Sequence, residues 1–455
     1  SILAALAVLA ASATALTGAA PGARAQNRTE LTVYANDLAQ VTTRRSVAVP
    51  AGESRLVFAP ISPGALPDSL DLGAPGLRLR DQALAPWPLD RATLLSRALG
   101  ETVRLRRPAG DGAAPAVETA TLLAVTPNLV LEQDGRLLID PAGEIVLESL
   151  PEGLARQPRA VFRVVADSAG ERAVTLRYLT RGLSWHAAYI GRWDRAAGTL
   201  DLVGRAVLES ALDRPISAER VTLVAGEVAD TGKPPPAAQP RALRATASAE
   251  SLPSAQDSAD LKLYHLDAPL TLAPGGSVQR PLLRAQDIAV ETRYRLTGLA
   301  SAQLRDDGGA QRAAATLRLE IPDTRAAGLE QPLPAGVLRV YDGSVFRGAR
   351  RIADTPAGAP LTLDLGSAFD VTASARQTAA ERLGTRSYAV ARRITLRNAG
   401  PRPAQVAVIG DFPPDWTIER ESHAHKLESA TRPVWSVTVP AEGERVLSYR
   451  VRVQR

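Results

Sequence analysis

Two neighbouring runs of alternating apolar and polar residues, 174–180 and 184–193, restrict the fold more than any other feature of this sequence. A side-chain period of two is typical of a strand with one buried face. The pattern breaks at Arg181-Gly182, where glycine permits a sharp turn. The sequence therefore predicts two strands joined as a core hairpin. The side chains that share a face are Val174, Leu176 and Tyr178 in the first run and Trp185, Ala187 and Tyr189 in the second.

This stretch is also the densest aromatic cluster in a chain that is only 4% aromatic. Burying a tryptophan or tyrosine removes roughly 150–250 Å² of surface from water. The favoured interpretation is therefore that these rings anchor the core. The alternative is an exposed aromatic platform for a sugar or a peptide. The rings that this alternative concerns are Trp185, Tyr189, Trp193, Trp416 and Trp435.

Length and turn residues predict the organisation of the chain. Its 455 residues are enough for several domains, since a domain commonly holds about 100–200 residues. The 34 prolines and 34 glycines suit many turns between short strands. We expect a mainly β protein of multi-domain antiparallel β-sandwiches with few short helices, and the strand spacing of the last segment fits an immunoglobulin-like module. The predicted segments are 1–25 (signal peptide), 26–85 (N-terminal β-segment), 86–150 (small β insert with one helix), 151–229 (central β-sheet segment), 230–260 (flexible linker or loop), 261–385 (second β-segment) and 386–455 (immunoglobulin-like β-sandwich).

Two short helices are predicted. One lies within residues 86–100, where Asp90 can cap the start and Gly100 follows an apolar stripe. The other covers Thr372–Leu383 and ends at Gly384.

The net charge of +6 comes almost entirely from arginine, with lysine only at Lys233, Lys262 and Lys426. Arginine richness is compatible with anion or nucleic-acid binding. Here the basic residues are spread along the chain with acidic residues nearby, so we interpret them as solvated strand faces and expect no nucleic-acid partner. The absence of cysteine excludes disulfides and thiol catalysis.

The first 25 residues resemble a secretory signal. Ile2–Leu16 is a short apolar stretch, and Ala23-Arg24-Ala25 fits the pattern before a cleavage site. The apolar run is shorter than the ~20 residues of a membrane-spanning helix. We expect a periplasmic or secreted protein with no transmembrane segment in the mature chain.

The candidates for chemistry are few, and we assign no catalytic, cofactor-binding or metal-ligating residue. His423-Ala424-His425 could ligate a metal if a third ligand, such as Glu421 or Glu428, joined them. The favoured interpretation is a solvated loop. No nucleophile elbow, phosphate-binding loop or His-Glu-x-x-His motif is present.

Three other polar features are weaker candidates. His186 alternates away from Trp185 and is expected to be exposed, and His265 has no evident partner. Asp306-Asp307 precedes two glycines and indicates a loop, so calcium binding there is only a guess.

The arrangement Tyr-Leu-Thr-Arg-Gly-Leu-Ser-Trp-x-x-x-Tyr at 178–189 resembles the hallmark of a large bacterial family of unknown function, labelled mucoidy-inhibitor-A-like. Longer members of that family carry a coiled coil, and the lack of sustained heptads here makes this chain resemble a short member. The resemblance implies an envelope-located, β-rich, non-enzymatic protein and supplies no active-site residues. Further matching stretches are Leu31–Val41, Leu200–Gly204, Val221–Val228 and Leu333–Tyr341.

The sequence leaves two main functional hypotheses. The first is an envelope binding or scaffold protein without catalytic activity, whose partner is an envelope protein or polysaccharide. The second is a carbohydrate-binding or carbohydrate-processing periplasmic protein. Burial of the aromatic rings discriminates between them, because a sugar platform needs exposed rings. A metal-dependent enzyme ranks last.

Overall fold

The computed structural model describes residues 28–85, 90–107, 116–229, 256–258, 261–266, 269–304 and 309–454. The predicted signal peptide, most of the predicted linker and Asp306-Asp307 lie outside these residues. Within them, the chain is mainly β, as predicted, with one α-helix and several packed sheets. None of the helices in this part of the chain is long and apolar enough to cross a membrane.

The N-terminal segment supplies five strands and a short 3-10 turn at Pro67–Ser69. Apolar residues alternate along β1 and β2, so each strand turns one face towards the core. The strands are β1 (Arg28–Tyr34), β2 (Ala39–Val49), β3 (Gly52–Phe58), β4 (Asp71–Gly73) and β5 (Leu77–Leu84).

The described part of the predicted insert contains one helix and five short strands. Asp90 caps the helix, and its Oδ1 accepts a hydrogen bond from the backbone nitrogen of Thr93 at 2.6 Å. The insert has a core of its own around Leu95, Leu122 and Leu131. Its elements are α1 (Arg91–Arg97), β6 (Thr102–Arg107), β7 (Ala116–Ala124), β8 (Val130–Gln133), β9 (Arg136–Ile139) and β10 (Glu144–Val146).

The central segment contains the strands of the alternating motif. They are β11 (Ala160–Ala166), β12 (Gly170–Thr180), β13 (Leu183–Asp194), β14 (Thr199–Ser210), β15 (Ile216–Ala218) and β16 (Arg220–Ala225).

The predicted core hairpin is wrong in its pairing. β12 pairs with β2 and β4, and β13 pairs with β14. Gly182, with φ at +86°, turns the chain from one sheet into another. The alternation predicts each strand and its buried face, but it carries no information about which strand lies alongside. Of the consecutive strands β11 to β16, only β13 and β14 pair with each other.

The next segment continues as strands. β13 also pairs in parallel with one of them, β23. The strands are β17 (Gln256–Ser258), β18 (Leu261–Leu266), β19 (Leu270–Leu272), β20 (Ser277–Ala289), β21 (Glu291–Ser301), β22 (Gln311–Ile321), β23 (Gly336–Asp342) and β24 (Val345–Ile352).

The last seven strands run to residue 454. The helix predicted over Thr372–Leu383 is wrong, because β25 continues through it. Thr372–Ala375 pair with β22 on one side, and Val371–Arg382 pair with β26 on the other. Pairing with neighbouring strands overrides the helix-forming alanines of this stretch. The strands are β25 (Leu361–Arg382), β26 (Ser387–Asn398), β27 (Ala404–Asp411), β28 (Trp416–Glu421), β29 (His425–Ser429), β30 (Arg432–Val439) and β31 (Gly443–Gln454).

Most strands surround one continuous core. The C-terminal strands share their nine-stranded sheet with β21 and β22, so this sheet draws on residues from 291 onwards. Its outermost strands, β28 and β29, are consecutive in the chain, and the sheet curls to bring them together. The sheet orders are β17-β18-β16-β1-β2-β12-β4, β10-β6-β7-β8-β9, β3-β11-β5, β20-β14-β13-β23-β24, β15-β19 and β28-β31-β26-β25-β22-β21-β27-β30-β29.

Candidate functional site: a cleft between two sheets

The aromatic rings of the central motif lie in the core. Trp185 and Tyr189 are buried on the inner face of β13. The indole nitrogen of Trp185 donates a hydrogen bond to the carbonyl oxygen of Val224 at 2.9 Å. The hydroxyl of Tyr189 donates to the carbonyl oxygen of Pro334 at 2.7 Å. Burial raises the pKa of Tyr189 well above its ordinary value. The favoured interpretation of these two rings as core anchors is confirmed, and they form no exposed platform.

The remaining candidate rings are also withdrawn from solvent. Trp193 and Trp435 are buried, and Trp416 is half-buried. The indole nitrogen of Trp416 donates to the carbonyl oxygen of Ala430 at 2.9 Å. These positions leave no row of open ring faces for stacking against a sugar.

The two histidines of the His-x-His pair face different partners. Nδ1 of His425 lies 2.9 Å from Oε2 of Glu421, whereas Nδ1 of His423 lies 2.9 Å from the hydroxyl of Ser422. Glu428 ion-pairs with Arg432 at 3.5 Å instead of joining them. In the part of the chain that the structure describes, no group of three or more His, Cys, Asp and Glu residues is arranged to hold a metal ion.

The other two histidines lie on strands. His186 is exposed, as expected, and its Nδ1 lies 3.9 Å from the carboxylate of Glu209. His265 does have a partner, since its Nδ1 lies 3.1 Å from the hydroxyl of Thr222. Neither arrangement forms a constellation that supports catalysis.

A cleft of about 740 Å³ lies where the β13-containing sheet meets the nine-stranded sheet. We call it the junction cleft. Its first wall is the end of β13, the start of β14 and the β23–β24 turn, and its second wall comes from β21, β25 and the β26–β27 loop. Its charged lining residues are Arg192, Asp194, Arg195, Asp201, Asp287, Asp342, Asp370 and Arg402.

Arg195 ties the two walls of the junction cleft together. Its guanidinium lies over the ring of Trp193, 5.7 Å from the centroid, which is a cation–π distance. Its Nη2 donates to the hydroxyl of Tyr294 on β21 at 3.0 Å. Its backbone carbonyl accepts from Nη1 of Arg402 at 2.5 Å. Two of the three lining arginines are therefore held by the walls.

The β26–β27 loop is fixed by one buried amide. Nδ2 of Asn398 donates to the carbonyl oxygens of Arg402 and Pro440 at 2.7 and 3.0 Å, and its Oδ1 accepts from the backbone nitrogen of Gly400 at 3.0 Å. This loop therefore forms a fixed edge of the cleft.

The five aspartates of the junction cleft either accept hydrogen bonds from backbone nitrogens or line the cleft without such bonds. Asp194 accepts from the backbone nitrogens of Ala196 and Ala197, and Asp201 accepts from that of Asp287. Across the described residues, no ion pair links any of the five to an arginine or lysine. The cleft thus presents five carboxylates against three guanidinium groups.

Exposed apolar side chains lie next to two of the lining residues, either in sequence or across a strand pair. Phe369, next to the lining residue Asp370, is 96% exposed. Val345 and Phe346 follow the turn at Asp342 and are 58% and 54% exposed. Sequence reasoning did not identify this site, because its lining comes from six separate stretches of chain. Trp193 is the lining residue that sequence analysis named as a candidate, and it did so for its ring alone.

No protein-family model matches the chain, and a search of curated proteins finds no match.

Proposed function

We propose that this chain is an exported, non-catalytic binding protein of the cell envelope, which engages its partner at the junction cleft. The observation that carries the proposal is the cleft itself, lined by five carboxylates and three guanidinium groups, with exposed apolar residues next to two of those carboxylates. Concave sites with a few convergent polar groups are the usual places of ligand binding, and exposed aromatic residues beside them are typical of interaction surfaces.

The lining side chains favour binding over catalysis. Among the described residues that line the cleft there is no histidine, lysine, serine or cysteine. Within this same lining, the hydroxyl groups are not hydrogen-bonded to the aspartates, and that of Tyr294 accepts from Arg195 instead. Carboxylates, guanidinium groups and a fixed amide supply hydrogen bonds and charge.

The envelope location rests on the sequence. Residues 1–25 have the pattern of a secretory signal. The motif at 178–189 supports membership of the mucoidy-inhibitor-A-like family as a short member without the coiled coil. Both the compartment and the family are parts of the proposal.

Site-specific photo-crosslinking tests the proposed function. The photoreactive residue benzoylphenylalanine replaces Phe369 in one variant and Ile139 in a control, and both chains are expressed with their first 25 residues. Ile139 is 66% exposed but lies on the insert. We expect a discrete adduct in the envelope fraction for position 369 alone. Equal adducts at both positions, no adduct, or retention of the chain in the cytoplasm would contradict the proposal.

The proposal does not include an aromatic platform for a sugar. Of the five candidate rings, only Trp193 lines the junction cleft, and it is 2% exposed with Arg195 over its face. A polysaccharide adduct in the crosslinking experiment would restore the carbohydrate hypothesis on other contacts.

A further inference from the structure

We infer that the junction cleft docks a polypeptide segment that presents basic side chains beside apolar ones. This inference rests on the proposed function and specifies the chemistry of the partner.

The apolar part of the docking surface is Phe369 with Val345 and Phe346. Phe369 lies where β25 has extra residues relative to β22, since Ser367 pairs with Thr316 and Thr372 with Ala314. Such a bulge redirects a side chain, and here it places a phenylalanine almost wholly in water. Burying an aromatic ring of this kind is a common source of binding energy at protein interfaces.

Both apolar edges adjoin a carboxylate of the cleft. Asp342 is the cross-strand partner of Val345, and Asp370 follows Phe369 in the chain. The ring of Tyr341 lies 5.4 Å from that of Phe346 and supports it from one side. A ligand that covers Val345 or Phe369 therefore has a lining carboxylate at the neighbouring position.

The charge of the cleft differs in sign from that of the chain. Five aspartates and three arginines line it, whereas the chain carries a net charge of +6. Arg195 and Arg402 are engaged with the walls. Asp201, Asp342 and Asp370 are only partly exposed, and hydrogen bonds between ionised groups are stronger where solvent is partly excluded. The complementary ligand is cationic.

A polypeptide fits this surface better than a polysaccharide or a lipid surface. Lysine or arginine next to leucine or phenylalanine presents a cation and an apolar group a few ångströms apart, which matches the adjoining carboxylates and phenylalanines. An anionic membrane surface attracts basic patches and would be repelled by these carboxylates. The rings inside the cleft have no open face for a sugar.

Binding of short synthetic peptides to the purified chain tests the inference. The probe alternates lysine and leucine, and two matched peptides replace lysine with glutamate or with glutamine. We expect fluorescence anisotropy to show saturable binding of the lysine peptide alone, weakened by added salt because charges are screened. Non-specific attraction cannot produce this preference, because a chain of net charge +6 repels a basic peptide elsewhere.

Matched variants locate the binding. The double variant Asp342→Asn with Asp370→Asn removes two lining charges, and Phe369→Ser removes the exposed ring. Each should weaken binding about tenfold or more, as loss of a central anchor does. The controls Glu101→Gln with Glu132→Gln, and Ile139→Ser, alter exposed residues of the insert and should leave affinity unchanged.

Several results overturn the inference. They are equal binding of the three peptides, no binding of any, and cleft variants that behave like the insert controls. If crosslinking at position 369 still yields an adduct in those cases, the proposed function stands and only the partner chemistry is wrong. If the adduct is also absent, both fail.

Discussion

Oε2 of Glu421 accepts a hydrogen bond from the indole nitrogen of Trp435 at 2.8 Å, and so joins the end of β28 to β30. The same oxygen is contacted by Nδ1 of His425 at 2.9 Å. Because an ionised carboxylate only accepts, the histidine nitrogen donates. Since β28 and β29 do not pair through their backbones, these side-chain bonds hold the two ends of the nine-stranded sheet together.

Replacing Glu421 with alanine should destabilise the chain by about 1–3 kcal/mol, because it leaves the buried Trp435 donor without its partner. Urea unfolding measures the change. Glu428→Ala is the matched control, since Glu428 is 44% exposed and its ion pairs with Arg295 and Arg432 contribute about 0–1 kcal/mol each. An equal loss in both variants would contradict a specific role for Glu421.

The contribution of Glu421 should depend on pH. Burial raises the pKa of Glu421, but the hydrogen bonds from Trp435 and His425 outweigh burial and hold that pKa below its ordinary value of 4.5. The unfolded chain then binds the proton more readily, so the stabilisation is present above pH 4.5 and is lost as pH falls through the folded-state pKa. The difference in unfolding free energy between wild type and Glu421→Ala should therefore narrow in acid. A constant difference down to the acid unfolding transition would show the sign to be wrong.

Gly336 is required by the parallel pairing of β23 with β13. A Cβ at this position would overlap the backbone carbonyl of Ala187. Gly336→Ala should cost about 1–3 kcal/mol, as overpacking of a tight contact does. Gly73→Ala in β4 is the control, because a Cβ there meets no atom within 4 Å. Equal melting temperatures for the two variants would argue against the close approach.

Because the insert has its own core, its stability should be independent of the stability of the main core. Leu131→Ala removes a fully buried side chain from that core and should cost about 2–5 kcal/mol. Hydrogen exchange should speed up across β6–β10 and stay unchanged in β26. The reverse pattern is expected for Leu396→Ala, which alters the main core. Accelerated exchange in both regions from either variant would show that the cores are coupled.

Sequence reasoning succeeded where a local pattern determines local structure. Side-chain alternation predicted the buried faces of β12 and β13, and Asp90 predicted the start of α1. It failed over Thr372–Leu383, where local helix preference competes with pairing to strands on either side. It also missed the change of sheet at Gly182, because alternation does not specify a neighbour.

The junction cleft was beyond the reach of sequence reasoning for a related reason. Asp194, Asp342 and Asp370 are far apart in the chain, and each taken alone is an ordinary polar residue in a turn or on a strand. They become a site only because the ends of β13 and β23 lie near the middle of β25. Phe369 shows the same limit, since a phenylalanine within a strand pattern predicts burial.

The pairing of β1 with both β2 and β16 has a consequence for the order of folding. Leu31 pairs with Val41 on one side and with Val221 on the other. The second pairing can form only after the roughly 190 residues between the two strands have been synthesised. Contacts of such long sequence separation slow folding. The insert pairs strands that are close in sequence and can close its own core first. During synthesis, β1 and β2 therefore remain with one edge unpaired until the residues that follow the insert are available.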